Sequence, residues 1–381
     1  MMIFFYITLV LLLGYGVLIN YYDRSWSSIA DFEDITAVHT TTPLSITVII
    51  PARNEEKNIG TCLSSLWQQD YPPGLLEIIV VNDFSTDRTV EIVKQFRQGN
   101  IRLIHLGDHV GKNDINSYKK KAIEIAITQA KGDLIVTTDA DCIAGKQWLN
   151  TIAGFQKKYN AVFIAAPVKM EADKSLLSIF QSLDFLTLQG ITAAAVQQRK
   201  HSMCNGANLA YLKTAYQAVN GFEGIDEIAS GDDMLLMHKI AQKFPDQYFF
   251  LKSKHAIVST KPEKTWSEFL QQRIRWASKA DKYDDKRIFY VLLLVYLLNV
   301  CIGVFLVAGC WNYKHWIQFL LLVTGKIAFE YPFVKKVASF FDQQKLVKWL
   351  SLLQPMHIFY TIIAGLLGKF SGYEWKGRKV K

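Results

Sequence analysis

Two aspartates one residue apart, Asp139 and Asp141, follow an apolar, β-branched run that begins at Leu134. Such a run predicts a buried parallel strand. Because side chains at i and i+2 of an extended chain point the same way, both carboxylates would project from the carboxyl end of the strand, where open α/β sheets bind ligands. Paired carboxylates there suit a hard cation such as Mg²⁺ or Mn²⁺, which would hold a pyrophosphate. The short pattern alone also fits a strand followed by an aspartate-rich turn.

Another acid follows a second predicted strand. The run Glu77–Val81 is apolar and β-branched, and it leads directly into Asn82 and Asp83. In a parallel sheet the carboxyl ends of the strands lie at one edge, so Asp83 and Asp139 are expected to share a rim. The expected rim indicates a binding site, which composition alone does not indicate.

Two further acids, Asp232 and Asp233, directly precede a predicted helix at Met234–Lys243. Acidic side chains in the first turn of a helix complement the positive end of its dipole. This pair therefore has an ordinary structural explanation when it is taken alone. It gains a functional meaning only together with the other polar motifs of the chain.

A polar cluster lies on the predicted helix Trp266–Lys282, which precedes the C-terminal hydrophobic segments. Gln272, Arg275 and Trp276 stand at positions i, i+3 and i+4, so they share one helix face. One explanation is an amphipathic helix at a bilayer surface, with tryptophan and arginine at the level of the lipid headgroups.

The elements that must position these groups alternate between strand and helix from residue 46 onward. This alternation predicts an α/β fold with a mostly parallel sheet and right-handed crossovers. The predicted strands are Ile46–Ile50, Glu77–Val81, Ile101–His105, the run from Leu134, and Ala161–Val168. The predicted helices are Ile59–Gln68 with Asn58 as its cap, Arg88–Phe96, Tyr118–Ala130 and Leu176–Gln198.

Composition limits the classes of protein to which this chain can belong. The chain has 381 residues, of which 50% are hydrophobic, and a formal net charge of +9. Its lysines cluster near the hydrophobic segments and no nucleic-acid motif is evident, so an anionic lipid surface is the expected partner of this charge. The five scattered cysteines include no Cys-x-x-Cys, which argues against a disulfide framework or a zinc site and favours a reducing compartment.

Four hydrophobic segments are long enough to be considered as membrane spans, each near the length of about 20 residues that a bilayer core needs. They are Ile3–Ile19, Ile288–Trp311, Trp316–Val334 and Leu350–Phe370. The first lacks a basic flank and predicts a retained anchor, although Ser28-Ile29-Ala30 leaves a cleaved signal peptide open. Lysines on both sides of the last segment are expected in the cytoplasm, which predicts three true spans and a re-entrant or interfacial final segment.

The polar motifs, in their order along the chain, resemble those of the membrane-bound inverting family-2 glycosyltransferases. The similar branch contains cellulose, hyaluronan and poly-N-acetylglucosamine synthases and ceramide glucosyltransferase. The motifs are Pro51–Glu55, Asp83, Asp139-x-Asp141, Asp232-Asp233 and Gln272-x-x-Arg275-Trp276. The resemblance implies a GT-A fold, a nucleotide-sugar donor, Mg²⁺ or Mn²⁺, and a lipid or glycan acceptor.

The resemblance also implies a role for each motif. Asp139 and Asp141 match the metal motif, and Asp233 matches the final acid of the pair that supplies the general base. The residues expected at the donor are Pro51, Arg53, Asn54, Glu55, Asp83 and Asp139. The residues expected beside the acceptor and pyrophosphate are Asp232, Gln272, Arg275 and Trp276. A lysine that approaches the nucleotide is expected either at Lys112 or in the run Lys119–Lys121.

These expectations divide the chain into five parts. They are an anchor at 1–22, a GT-A catalytic domain at 44–260, an interfacial helix at 261–287, membrane segments at 288–370 and a basic tail at 371–381. The expected location is the inner (cell) membrane, with several passes and a cytoplasmic catalytic domain that works beside proteins of envelope synthesis. The alternatives are a subunit of a processive polysaccharide synthase, a non-catalytic envelope scaffold, and a nucleotidyltransferase on the same type of sheet.

Overall fold

The structure is a computed structural model, and its elements follow the predicted alternation closely. It describes residues 1–33, 44–96, 100–111, 116–200, 204–228, 231–278, 286–370, 373–375 and 378–380. The strands are β1 (Ile46–Ala52), β2 (Leu76–Asn82), β3 (Ile101–His105), β4 (Leu134–Thr137), β5 (Ile143–Ala144), β6 (Phe163–Ala165), β7 (Val168–Met170), β8 (Leu209–Leu212), β9 (Tyr248–Phe250), β10 (Val258–Thr260), β11 (Tyr373–Trp375) and β12 (Arg378–Val380).

Twelve α-helices are described within those ranges. They are α1 (Met2–Ser28), α2 (Ile59–Trp67), α3 (Thr89–Gln95), α4 (Tyr118–Gln129), α5 (Trp148–Tyr159), α6 (Leu176–Gln197), α7 (Lys213–Ala218), α8 (Met234–Lys243), α9 (Trp266–Ala277), α10 (Lys286–Ala308), α11 (Tyr313–Phe340) and α12 (Leu350–Phe370). Helices α2 to α4 alternate with the first four strands, as the sequence predicts.

A seven-stranded sheet in the order β3-β2-β1-β4-β8-β6-β9 forms the central layer. Strands β3, β2, β1 and β4 are parallel to one another, whereas β8 runs antiparallel to both of its neighbours. The predicted mostly parallel sheet is therefore confirmed, with one reversed strand. Because β1 and β4 both end at the same edge, the polar residues that follow them are brought to one rim.

Strand β1 is central because its side chains are apolar on both faces. Ile49 belongs to the apolar core on the α4 side, while Val48 and Ile50 belong to the core on the α2 side. All three side chains have 0% exposure. A continuous β-branched run suits a strand covered on both faces, since successive side chains point to opposite sides.

Two predicted strand boundaries are wrong. Strand β1 continues through Pro51, where the sequence analysis ended it; β1 pairs with β4 only as far as Ile49, so the missing N–H of Pro51 lies beyond that ladder. The single strand predicted at Ala161–Val168 is two strands, β6 and β7, which belong to different sheets. Pro167 lies between them, and its lack of an N–H favours a break in the ladder.

Two predicted helix features are also corrected. The Asn58 side chain does not cap α2; it donates instead to Glu55 Oε2 at 2.8 Å. The last helix before the C-terminal segments, predicted at Trp266–Lys282, ends at Ala277. The part of that prediction from 279 onward lies outside the described residues, as do Lys112 and positions 371, 372, 376, 377 and 381 of the predicted basic tail.

Within the described residues, five helices are long and apolar enough to cross a membrane, namely α1, α6, α10, α11 and α12. Four of them overlap the predicted hydrophobic segments, and α10 ends three residues before the predicted end at Trp311. The fifth, α6, differs from them because 83% of its most apolar stretch is buried inside the protein, against 28% for α1. Helix α6 therefore packs as an interior helix between the sheet and the other apolar helices.

All five cysteine side chains are free thiols.

Candidate active site

The loops after β1 and β2 are tied together by Arg53. Its Nη1 atom donates to the backbone carbonyl oxygens of Asp83 at 3.0 Å and of Phe84 at 3.1 Å. The Asp83 N–H in turn donates to the Ala52 carbonyl at 2.8 Å. Arg53 and Asp83 are 8% and 3% exposed, so two of the predicted donor-site residues form a buried junction at the rim.

Asn54 and Glu55 continue this junction. The Asn54 N–H donates to Ser85 Oγ at 3.1 Å, and Asn54 Oδ1 accepts the Thr86 N–H at 2.9 Å. Asn54 has a φ of 53°, a left-handed conformation that asparagine tolerates better than most residues. The Glu55 N–H donates to Thr89 Oγ1 at 2.7 Å, at the start of α3. Arg53, Asn54 and Glu55 are thus held against the β2–α3 loop, whereas Pro51 lies within β1, opposite Val81 of β2.

Lys119 on α4 joins two of the predicted acids. Its Nζ atom lies 2.8 Å from Asp139 Oδ1 and 3.2 Å from Asp232 Oδ2. The side chains of Lys119 and Asp139 are 23% and 37% exposed, so the cluster opens to the surface of the rim. Burial disfavours the charged ammonium, but Asp139, Asp232 and Asp233 outweigh it and raise the pKa of Lys119 above its usual value.

Asp233 lies directly beside this cluster at the start of α8. Its Oδ1 atom accepts the Met234 N–H at 2.7 Å, and its Oδ2 atom accepts the Gly206 N–H at 3.1 Å. Gly206 also accepts, through its carbonyl, the hydroxyl of Thr137 at the end of β4, at 3.1 Å. These bonds fix the Asp233 carboxylate next to the rim, and the structure thus places Asp232 and Asp233 beside Asp139.

Asp141 points toward the small sheet of β5, β10 and β7. Its Oδ2 atom accepts the hydroxyl of Thr260 at 3.2 Å, and Cys142 Sγ lies 3.7 Å from its Oδ1 atom. Burial raises the pKa of the Cys62 thiol, and the carboxylates of Asp141, Asp139 and Glu55 raise it further. The Cys62 side chain is thus a common neighbour of the two metal-motif acids and of the donor loop.

The side chains present supply only some of the ligands that a divalent cation needs. Among the described residues, no group of three or more histidine, cysteine, aspartate or glutamate side chains is arranged to hold a metal ion. Asp139 and Asp141 offer carboxylate oxygens, which are the ligands that Mg²⁺ and Mn²⁺ prefer. A Mg²⁺ site of this kind uses one or two carboxylates and completes its coordination with substrate phosphates and water.

The motif on α9 is held in place by a residue that is not among the predicted site residues. Arg273 Nη1 donates to Gln272 Oε1 at 2.7 Å, and the Arg273 guanidinium carbon lies 4.3 Å from the centre of the Trp276 ring. Gln272 Nε2 also donates to Glu263 Oε1 at 3.0 Å. Trp276 packs against the same apolar core as Ala140 and Cys142, which flank Asp141. The Trp276 ring also packs against the Phe185 ring on α6, with 6.2 Å between the ring centres.

Three functional candidates were missed or left open by the sequence. Lys119, and not its neighbours in the lysine run, reaches the acids; helical periodicity alone does not tell which lysine faces the rim. Gly206 belongs to none of the predicted motifs, and only its contact with Asp233 reveals a role. Arg273 occupies the first variable position of the Gln-x-x-Arg-Trp motif, and its role depends on a partner in a distant helix.

Two family models match this chain. The model described as "Glycosyl transferase family 2" matches residues 47–219, and the model described as "Glycosyl transferase family group 2" matches residues 134–365, which is more than half of the chain. The matched ranges contain the sheet, the acid cluster, α9 and most of the C-terminal helices.

Among curated proteins, the chain is similar to a "Probable glycosyltransferase YdaM" of Bacillus subtilis, with 28% identity over 238 residues, 61% of this chain and 54% of that protein. It is also similar to an "N-acetylglucosaminyltransferase" of Rhizobium meliloti, with 28% identity over 250 residues, 62% of this chain and 56% of that protein. The chain thus spans about half the length of these curated relatives.

One solved structure has a similar fold over nearly the whole chain. It is a mannosyltransferase, PcManGT, from Pyrobaculum calidifontis, in complex with GDP-Man and Mn²⁺. The TM-score is 0.62 at 19% identity, and the match covers 95% of this chain and 99% of that one. At this identity the similarity establishes the GT-A type of α/β fold.

Proposed function

This chain belongs to glycosyl transferase family group 2, and we propose that it is a membrane-bound, metal-dependent, inverting glycosyltransferase. It moves a sugar from a nucleotide-sugar donor to a lipid or polysaccharide acceptor in the synthesis of envelope glycan or glycolipid. The observation that carries the proposal is the cluster of Asp139, Asp232 and Asp233 around Lys119 at the rim of the sheet. The names of the curated relatives describe sugar transfer, and PcManGT, whose fold is similar, was solved with the nucleotide sugar GDP-Man, which supports a nucleotide sugar as the donor proposed here.

The donor would lie on the loops that Arg53 joins. In this proposal Pro51, Arg53, Asn54, Glu55 and Asp83 surround the nucleoside. Their hydrogen bonds to the β2–α3 loop hold the pocket in place before the donor arrives, which reduces the entropy lost on binding. The rim opens beside Asp139, so the diphosphate of a bound donor would extend from this pocket toward the acid cluster.

Asp139 and Asp141 would hold a divalent cation together with the donor's phosphates. When bound, such a cation supplies positive charge to the leaving diphosphate. Lys119 already contacts Asp139, and its ammonium would orient the diphosphate by the same kind of charge-assisted hydrogen bond. The proposal assigns Arg275 to the diphosphate as well, because a planar guanidinium can bind two phosphate oxygens.

Asp233 would act as the general base toward the acceptor hydroxyl. The attacking oxygen must lose its proton as it bonds to the anomeric carbon on the face opposite the diphosphate, which leaves with its electron pair. The backbone N–H groups of Met234 and Gly206 fix the Asp233 carboxylate, so the base would need no reorientation at the moment of transfer. Gln272 and Trp276 would form the side of the site that receives the acceptor.

The membrane setting rests on the apolar surfaces of α1, α10, α11 and α12. A lipid-linked acceptor could approach α9 from the bilayer, and the predicted cytoplasmic catalytic domain would meet soluble nucleotide sugars. The short set of membrane helices favours transfer of one or a few sugars over a self-contained polymer channel. The alternative is a subunit of a processive polysaccharide synthase. The length of the glycan made in vitro distinguishes processive synthesis from the transfer of one or a few sugars.

The test uses the full-length chain in lipid nanodiscs with a panel of nucleotide sugars, Mn²⁺ and extracted lipid and glycan acceptors. We expect sugar transfer by the natural chain, and loss of transfer with retained donor binding for Asp233→Asn. Asp133→Asn removes an equal charge at the opposite edge of the sheet and should transfer normally. Absence of both transfer and donor hydrolysis with every nucleotide sugar, or normal transfer by Asp233→Asn, would overturn the proposal.

Inversion and metal dependence are checked on the same product. The anomeric proton coupling of the new glycosidic bond should show the configuration opposite to that of the donor. Chelation of divalent cations should abolish transfer, and added Mg²⁺ or Mn²⁺ should restore it. A product with retained configuration would refute the inverting mechanism, and transfer that survives chelation would refute the cation.

A further inference from the structure

A buried ion pair joins α9 to α6 beneath the Gln-x-x-Arg-Trp motif. Arg273 Nη2 donates to Asp184 Oδ2 at 2.7 Å, and the two side chains are only 3% and 4% exposed. Removing two charges from water is costly, so a buried pair of this kind is weak evidence for stability alone. We therefore expect the fixed Arg273 guanidinium to have a role other than stability.

The same guanidinium contacts two residues of the motif. Arg273 Nη1 donates to Gln272 Oε1 at 2.7 Å, and the plane of the group lies over the Trp276 ring at 4.3 Å from its centre. A guanidinium can do both at once because it is flat and carries its donors in a rigid fork. The position of Arg273 therefore sets the positions of Gln272 and Trp276 together.

Asp184 is itself held from a third helix. Tyr360 on α12 donates its hydroxyl to Asp184 Oδ1 at 2.6 Å, and His357 Nε2 lies 3.9 Å from the same oxygen. Helix α12 also packs closely on the end of α9, since a Cβ at Gly368 would lie 2.8 Å from the Ala277 Cβ. Hydrogen bonds thus run without a break from α12 through α6 to the motif on α9.

We propose that Asp184, held by Tyr360, is a positioning residue that fixes Gln272 and Trp276 for the acceptor through the Arg273 guanidinium. The inference rests on the proposed function, in which Gln272 and Trp276 form the acceptor side of the site. Asp184 touches no reactant. Its effect passes through Arg273, so it should change how the acceptor is bound and leave the donor pocket around Arg53 as it is.

The chain offers a matched control in a second buried pair. Lys326 Nζ lies 2.6 Å from Glu330 Oε1, and Tyr15 donates its hydroxyl to the same oxygen at 2.5 Å. The Lys326 and Glu330 side chains are 0% and 8% exposed, close to the values for Arg273 and Asp184. This pair joins α11 to α1 and, through Gln354, to α12, and its hydrogen bonds within the described part of the chain reach no residue of α9. Glu330→Gln therefore removes a comparable buried charge away from the motif.

The first measurement does not depend on activity. The full-length chain is labelled with 5-fluorotryptophan in nanodiscs, and the Trp276 fluorine signal is assigned by Trp276→Phe. We expect Asp184→Asn to shift or broaden this signal, and Glu330→Gln to leave it unchanged. A folded Asp184→Asn chain with an unchanged Trp276 signal would overturn the proposal. If Asp184→Asn does not fold, Tyr360→Phe removes only one hydroxyl and decides the question by the same signal.

The second measurement separates acceptor from donor. In Asp184→Asn we expect the acceptor KM to rise by about ten-fold, while the donor KM changes by less than about three-fold. Arg273→Lys keeps the charge but loses the flat fork, so it should behave in the same way. Glu330→Gln should lower the midpoint of thermal unfolding without changing either KM. An unchanged acceptor KM in folded Asp184→Asn refutes the positioning role, whereas an inactive natural chain refutes the proposed function and leaves the fluorine result valid.

Discussion

The ammonium nitrogen of Lys119 lies 2.8 Å from Asp139 Oδ1, and this contact joins α4 to the residues that follow β4. The same nitrogen lies 3.2 Å from Asp232 Oδ2, so one positive charge is shared by two acids from distant parts of the chain. The carboxylates raise the pKa of Lys119, and the side chain therefore stays protonated through the neutral and mildly alkaline range. The positive charge of Lys119 is therefore expected to weaken the binding of any metal ion that Asp139 helps to hold.

Lys119→Met is expected to tighten the binding of Mn²⁺ in the absence of nucleotide. The substitution removes a positive charge that contacts Asp139 and leaves the carboxylates more negative toward an added cation. A charge at this separation, near the surface, changes the binding free energy by about 1–4 kcal/mol, so the Kd should fall by about ten-fold or more. Titration of Mn²⁺ followed by electron paramagnetic resonance measures this directly.

Lys121→Met is the matched control for this prediction. Lys121 lies on the same helix and also pairs with an acid, Glu124 at 3.0 Å, but it is more exposed and lies away from the cluster. It should leave the Mn²⁺ affinity unchanged. Equal affinities in the Lys119 and Lys121 variants would contradict an electrostatic link between Lys119 and the cation.

Gly206→Ala should disturb the acid cluster by size alone. A Cβ at this position would lie 3.0 Å from Asp232 Oδ2 and 3.1 Å from Lys119 Nζ, closer than side chains normally approach. The Lys119 contact with Asp232 must therefore move, and we expect kcat to fall by about ten-fold, since sub-ångström misplacement of charged groups at a reaction site is costly. Sugar transfer by purified chain in nanodiscs gives the rate.

Gly74→Ala controls for the general cost of a new methyl group. A Cβ at Gly74 would meet no atom within 4 Å, so this variant should keep the natural rate. A Gly206→Ala chain as active as Gly74→Ala would show that the Lys119–Asp232 contact has no part in the reaction.

The sheet could be predicted well because its strands are continuous apolar runs on both faces. The run from Glu77 and the run from Leu134 carry a clear signal, and both form strands parallel to β1, so that Asp83 and Asp139 follow strands that end at the same edge. The prediction of strands failed where the local sequence does not determine which strand a segment pairs with. The apolar run Ala161–Val168 gives no sign that it serves two sheets, apart from Pro167.

The acid cluster was predictable only as a set of motifs. Asp139 and Asp232 are far apart in the sequence, and the group that joins them, Lys119, comes from a run of three lysines of which any could face inward. The buried pair of Arg273 and Asp184 could not be predicted at all. Asp184 lies inside an apolar helix with no neighbouring motif, and its meaning depends on tertiary packing against α9.

The thiols of Cys62 and Cys142 should resist alkylation in the folded chain. They are 1% and 2% exposed, and burial together with the nearby carboxylates of Asp141 and Asp139 raises the pKa of both. Only the thiolate reacts readily, so both access and chemistry protect them. N-ethylmaleimide labelling followed by peptide mass spectrometry should find the exposed Cys310 modified first.

Denatured chain is the control for labelling, because all five thiols should then react. Modification of Cys62 in the folded chain at the rate of Cys310 would contradict the packing of the loop between Asp139 and Asp141.

Glu77 should make the stability of the chain depend on pH in the acid range. Burial pushes its pKa up, but the bonds from the Lys131 N–H, the Thr47 hydroxyl and the Arg102 guanidinium outweigh this effect and hold the pKa below 4.5. Because the folded state binds this proton less tightly than the unfolded state does, the stabilisation is present above about pH 4.5. It is lost as the pH falls through the lowered folded pKa.

Glu77→Gln should therefore lower the free energy of unfolding at pH 7 by about 1–3 kcal/mol, the usual value for hydrogen bonds to a charged group. The difference from the natural chain should shrink as the pH falls below 4.5, because both chains then carry an uncharged side chain at this position. Denaturant unfolding in detergent micelles at a series of pH values measures it. Glu91→Gln, which loses only an exposed pair with Arg88, should follow the natural chain throughout. A Glu77→Gln deficit that stays constant from pH 7 to pH 3 would contradict the assignment, since a loss of shape alone would not depend on the proton.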